Sequence, residues 1–125
     1  MGSNDVIIKI FNNKMKELLT DLLTVFPDDP DFLMFQNMNN IIIRTFPDKP
    51  LNLFKHHIRG MEDMIMQKDD TFFVKDEFGK DMVDDQEKID IISKLKDYWK
   101  NMSFDNQETI WEYCQLLLKI SQKLQ

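Results

Sequence analysis

The sequence predicts an all-α fold: a single-domain bundle of about five antiparallel helices. Three observations carry this. Apolar residues recur at the i, i+3, i+4, i+7 spacing of a helix face through most of the chain. Glycine is scarce, at three in 125 residues, so few positions interrupt a helix. All four prolines fall in two near-copies of one phrase, Phe26-Pro27-Asp28-Asp29-Pro30 and Phe46-Pro47-Asp48-Lys49-Pro50. With 42% apolar and 30% charged residues, the chain has the composition of a globular protein and the length to bury a core.

The first helix is expected over about 4–25. Ser3 or Asn4 can cap its first amides, and Asp5 suits the positive end of the dipole. Ile7, Ile10, Phe11, Met15, Leu18, Leu19, Leu22, Leu23 and Phe26 form one wide apolar stripe. Lys9, Lys14, Lys16, Glu17 and Asp21 lie on the other side. Pro27 cannot continue this helix and moves Phe26 out of helical geometry. Asp29 then stands at an N-cap position, with Pro30 at the first helical residue, where proline is favoured.

The second helix is expected over 30–45. Its stripe is Phe32, Phe35, Met38, Ile41, Ile42 and Phe46, widened by Leu33, Met34 and Ile43. A helix apolar over so much of its girth is expected at the centre of the bundle. Pro47 ends it, and Pro50 opens a third helix over 50–66, with Leu51, Phe54, His57 or Ile58, Met61 and Ile65 facing in. The repeated phrase could be a binding turn. It is better explained as a stop-and-cap cassette that sets tight turns between antiparallel neighbours.

From Gln67 to Gln86 the periodicity fades. Lys68-Asp69-Asp70-Thr71 reads as a turn and Phe72-Phe73-Val74 as an apolar plug against the core. The stretch after Val74 reads as a long acidic connection, and long connections in compact domains are often functional. A fourth helix is expected over 85–101 on Ile89, Ile92, Leu95, Tyr98 and Trp99. A fifth, over 105–124, is expected on Ile110, Trp111, Cys114, Leu117, Leu118, Ser121 and Leu124. Asp105 and Glu108 have the spacing of a capping box.

Charge is lopsided. The net is −6. The segment 62–90 holds 11 acids and 4 bases, a net of −7, so the remainder sums to +1. Such a chain repels phosphate backbones and anionic membrane surfaces, and a partner drawn by charge would be basic. No apolar run reaches the roughly 18 residues of a membrane span. The N-terminal residues carry neither a signal-peptide pattern nor the Ser or Thr of a myristoylation site. A single cysteine, Cys114, excludes an intrachain disulfide and fits a reducing compartment.

No reaction is written in the motifs. His56 and His57 are adjacent and point about 100° apart on a helix, so they cannot chelate one metal together. An EF-hand register fails, because the sixth residue from Asp69 is Val74 and from Asp76 is Asp81 where glycine is required. Cys114 sits in an apolar stripe and should be inert. Asn101-Met102-Ser103 matches a glycosylation sequon by chance. Met61, Met64 and Met66 cluster beside the acidic segment and read chiefly as core filler. No enzyme activity, cofactor or metal is expected. The candidate partner-binding residues are Asp76, Glu77, Phe78, Asp81, Asp84 and Asp85.

One resemblance spans nearly the whole chain. The order Phe11…Leu18…Leu22…Phe26-Pro27-Asp28-Asp29, then Leu53-Phe54, Lys68-Asp69-Asp70-Thr71-Phe72-Phe73, Leu95…Trp99 and Ile110-Trp111-Glu112-Tyr113…Leu117 is similar to small uncharacterised helical proteins of nucleocytoplasmic large DNA viruses. The resemblance supplies no activity and no site residues. It implies a viral protein in host cytoplasm or in the virion. The expected function is therefore non-enzymatic binding of a protein partner, through helix faces and the acidic 62–90 segment. The alternative is an acidic regulator that imitates nucleic acid and occupies a basic groove.

Overall fold

Helix α1 (Gly2–Val25) is the longest element and the one the others line up against. The structure, a computed structural model, describes residues 2–74 and 91–124. Among them are seven α-helices, five of at least eight residues, one 3-10 turn and no strands. After α1 come α2 (Pro30–Thr45), α3 (Lys49–Ile58), α4 (Glu62–Met66) and α5 (Thr71–Val74). Then follow α6 (Ile91–Tyr98), the 3-10 turn Trp99–Asn101, and α7 (Phe104–Gln122).

α1 packs against α2 and α7 and touches α3. Phe11, Met15, Leu18, Leu19 and Leu22 are buried, as the stripe predicts, whereas Ile10 is exposed. The helix starts at Gly2, so the expected caps Ser3 and Asn4 fall inside its first turn. α2 runs antiparallel to α1. Phe26 stacks on Phe32 at one end, Gln36 Nε2 donates to Thr20 Oγ1 in the middle, and Asn12 Nδ2 donates to the Pro47 carbonyl at the other.

The two proline phrases diverge in structure. In the first, Asp29 caps α2, its Oδ1 accepting the Asp31 amide at 2.9 Å, with Pro30 opening the helix. In the second, Lys49 stands where Asp29 stands in the first. The helix begins at Lys49, and its N-cap Asp48 makes no side-chain capping bond.

The helix expected over 50–66 is two helices. Gly60 breaks it, with φ of +83°, a left-handed conformation that glycine adopts without strain. Ile58 is the inward residue and His57 is exposed. Met61 and Met64 pack against the core, while Met66 is exposed.

The 72–74 plug forms as expected, as one helical turn. Asp69 Oδ1 accepts from the Thr71 amide and hydroxyl, at 3.1 and 2.7 Å, and starts that turn. Phe73 is fully buried, stacked on Trp99 at 4.2 Å and tilted against Trp111 at 5.0 Å. This aromatic cluster joins α5, the 3-10 turn and α7.

α7 is capped by Ser103, whose Oγ accepts the Asn106 amide, in place of the expected Asp105. Its inward residues Ile110, Trp111, Cys114, Leu117, Leu118 and Ser121 are all buried. Of the expected fourth helix, 85–90 lies outside the described residues. The rest is α6 followed by the 3-10 turn, with Leu95 and Trp99 buried and Tyr98 packed against the core.

The expected central place of α2 is overturned as well. α2 is a peripheral helix. Phe32 is its only buried residue, while Leu33, Met34, Met38 and Ile41 are 51, 41, 49 and 62% exposed. Phe46, just past its end, is also exposed.

Candidate functional site

The candidate partner-binding residues Asp76, Glu77, Phe78, Asp81, Asp84 and Asp85 all lie outside the described residues. The acids of 62–70 that are described have structural partners in part. Asp69 starts α5, and the neighbouring base Lys68 pairs with Glu108 at 2.6 Å, tying the α4 end to α7.

Among the described residues a dense polar cluster sits where α6 meets the start of α2. Asp29 Oδ2 accepts a hydrogen bond from the Tyr98 hydroxyl and faces Lys94 Nζ at 3.1 Å. Lys94 also pairs with Asp31 at 2.8 Å and lies 5.8 Å from the centre of the Tyr98 ring. Phe26 stacks on that ring at 4.2 Å. The Tyr98 hydroxyl, the Asp31 amide and Lys94 hold the Asp29 carboxyl below the usual carboxylate range, against the desolvation that would raise it. Asp31 and Asp29 raise the Lys94 ammonium in turn, and the Asp29 hydrogen bond with burial raises the Tyr98 phenol. A carboxylate already accepting from three donors is a poor general base. The cluster fastens two helices.

The other chemistry-bearing groups among the described residues are buried, hydrogen-bonded or dispersed. Burial pushes the Cys114 thiol up to about 12, which keeps it protonated and unreactive. Burial and the 2.5 Å hydrogen bond to Asp21 raise the Tyr113 phenol. His56 and His57 are exposed, with ring centres 6.1 Å apart. Among the described residues no three His, Cys, Asp or Glu side chains converge on a metal position. A surface groove between the end of α2 and α3 is lined by Phe46, Asp48, Lys49, Asn52 and Leu53, with Lys49 Nζ 5.9 Å from the Phe46 ring centre. No helix among the described residues is long and apolar enough to cross a membrane.

The remaining feature is the outer face of α2. At 100° per residue, Met34, Met38 and Ile41 fall within an arc of about 60°, roughly opposite Phe32. Leu33 lies about 80° from Ile41, with Arg44 and Asn37 between them. Thr45 is the other residue within that arc, and the helix carries only two charged side chains, Asp31 in its first turn and Arg44 in its last. α2 therefore has two apolar faces. Phe32 is buried and Phe35, Ile42 and Ile43 are half-buried, while Met34, Met38 and Ile41 meet solvent.

Counting apolar residues could not separate these faces. Plotting by angle does not separate them either, because Ile42 falls about 40° from Met38 and about 80° from Phe32; only the packing shows which residues are covered. The cluster of Asp29, Lys94 and Tyr98 left no local trace, because Asp29 and Tyr98 are 69 residues apart. No protein-family model, curated protein or solved structure matches this chain.

Proposed function

We propose that this chain is a non-enzymatic protein-interaction protein that docks a protein partner on the outer face of α2, with the acidic 62–90 segment as a second contact. The exposed apolar face of α2 carries the reading. Contiguous apolar surface on a soluble domain marks an interaction site more often than chance placement does. Covering the exposed halves of Leu33, Met34, Met38 and Ile41 stabilises a complex by about 1 kcal/mol each. Methionine side chains adapt their shape to what they meet. The absence of an available base in the Asp29 cluster and the inertness of Cys114 favour binding over catalysis. The viral setting, in host cytoplasm or virion, rests on the resemblance described above.

Affinity capture from virus-infected cells tests this. The wild-type chain is compared with a variant carrying Met34→Ser, Met38→Ser and Ile41→Ser, and with one in which Asp76, Glu77, Asp81, Asp84 and Asp85 are made neutral. The triple-serine variant should lose the captured protein at any salt concentration. Undiminished capture by that variant would remove the α2 face from the account. Capture that collapses with added salt and depends only on the acids would instead favour the nucleic-acid mimic.

A further inference from the structure

We propose that the solvent face of α3, with the turn leading into it, docks an acidic segment of a partner protein in which carboxylates flank an apolar side chain. This surface is separate from the outer face of α2, and the inference stands whether or not that face binds. Residues 44–59 run against the charge of the chain. They carry Arg44, Lys49, Lys55 and Arg59 against Asp48 alone, a net of +3, so the remainder of the chain sums to −9. All five side chains are exposed, and none forms an ion pair among the described residues. α3 is the only one of the five longer helices without an acid. At 100° per residue, Lys49, Asn52, Leu53 and His56 form one stripe at the i, i+3, i+4, i+7 spacing, opposite the buried Leu51 and Ile58. Lys55 flanks the stripe on one side and His57 on the other.

The chemistry of this face selects its occupant. Phe46 and Leu53, 56 and 45% exposed, line a groove with Asp48, Lys49 and Asn52. Lys49 Nζ lies 5.9 Å from the Phe46 ring centre, so positive charge and apolar surface sit side by side. Asp48 is the one acid of the groove, and Asn52 Nδ2 donates to it at 3.4 Å. A basic partner meets like charge along the stripe. A phosphate backbone or an anionic membrane surface extends past the stripe and meets the remaining −9. A short acidic segment lies within a Debye length, about 8 Å, of the stripe's own charges and is screened from distant ones. Its carboxylates pair with Lys49 and Lys55 and accept from the His56 ring N–H. An apolar side chain between them covers Phe46 and Leu53, surface that carboxylates alone would leave wet.

Selection of a random peptide library, displayed on phage, against the immobilised full chain is the test. The same selection is run on a variant carrying Lys49→Glu and Lys55→Glu. Both lysines are exposed, so circular dichroism should be unchanged. The wild type should enrich peptides with two or more Asp or Glu around an aromatic or aliphatic residue, and the double-glutamate variant should not. An enriched peptide, synthesised and labelled for fluorescence anisotropy, should bind that variant at least about tenfold more weakly than the wild type, and Leu53→Ser about threefold more weakly. The triple-serine variant of α2 should select the same acidic peptides, which separates the two surfaces. Absence of an acidic class among the selected peptides, an acidic class that survives Lys49→Glu and Lys55→Glu, or one lost with the α2 substitutions overturns the proposal. Oligothymidylate or phosphatidylserine vesicles that bind through the same lysines more tightly than the peptide overturn it as well.

Discussion

Replacing Asp29 with alanine should destabilise the protein by about 3 kcal/mol. Asp29 does three jobs with one side chain that is 8% exposed. It caps α2, worth about 1 kcal/mol. It accepts the Tyr98 hydroxyl as an ionised acceptor, worth about 1.5–3 kcal/mol. It shares Lys94 with Asp31, and this third contribution is small because the ammonium keeps Asp31 when Asp29 is gone. Asp29→Asn keeps the cap, since asparagine caps as well as aspartate, and should cost about half as much. Urea unfolding followed by circular dichroism measures both, and the alanine variant should melt roughly 10 °C lower.

The pH dependence follows from the directions of the shifts. The folded Asp29 carboxyl lies below its ordinary value, so its contribution is full above the unfolded pKa near 4 and is lost as pH falls through the folded value. Tyr98 and Lys94 are raised in the fold, so theirs is full below about pH 10 and is lost as pH rises through their folded values. The wild type should therefore lose stability at both extremes, and Asp29→Ala should flatten both losses. An alanine variant within about 0.5 kcal/mol of wild type, or equal costs for Asn and Ala, would refute the assignment of these roles.

Other expectations follow from single residues. Phe73→Ala should cost about 3–5 kcal/mol by urea unfolding, because it empties a fully buried site stacked on Trp99 and packed on Trp111. Gly60→Ala should cost about 1 kcal/mol from backbone strain at φ of +83°, since a methyl there meets nothing within 4 Å. Cys114 should resist thiol reagents at pH 8 in the folded protein and react at once in urea; rapid native labelling would contradict its burial.

Local rules carried α1, the first proline phrase and α7 from sequence to structure, because periodicity and caps act within a few residues. The second phrase shows their limit. Pro47 and Pro50 keep the turn, but lysine for aspartate at position 49 removes the side-chain cap. Gly60 was a legible break inside the 50–66 pattern, and Ser103 a better cap than Asp105. Both lost to competing local signals. Two things were not local. The bond from Tyr98 to Asp29 depends on how α6 returns to α2. Which of α2's apolar faces would be covered depends on α1 having only one side to offer.

The methionines provide a direct reading of where the protein binds. With methyl groups labelled, an NMR titration against the captured partner reports on nine sites at once. Met34 and Met38 lie on the outer face of α2, Met66 is exposed on α4 in the acidic segment, and Met15 is in the core. The account predicts that the Met34 and Met38 methyls shift while Met15 stays in place. Shifts at Met66 with Met34 and Met38 unmoved would contradict it.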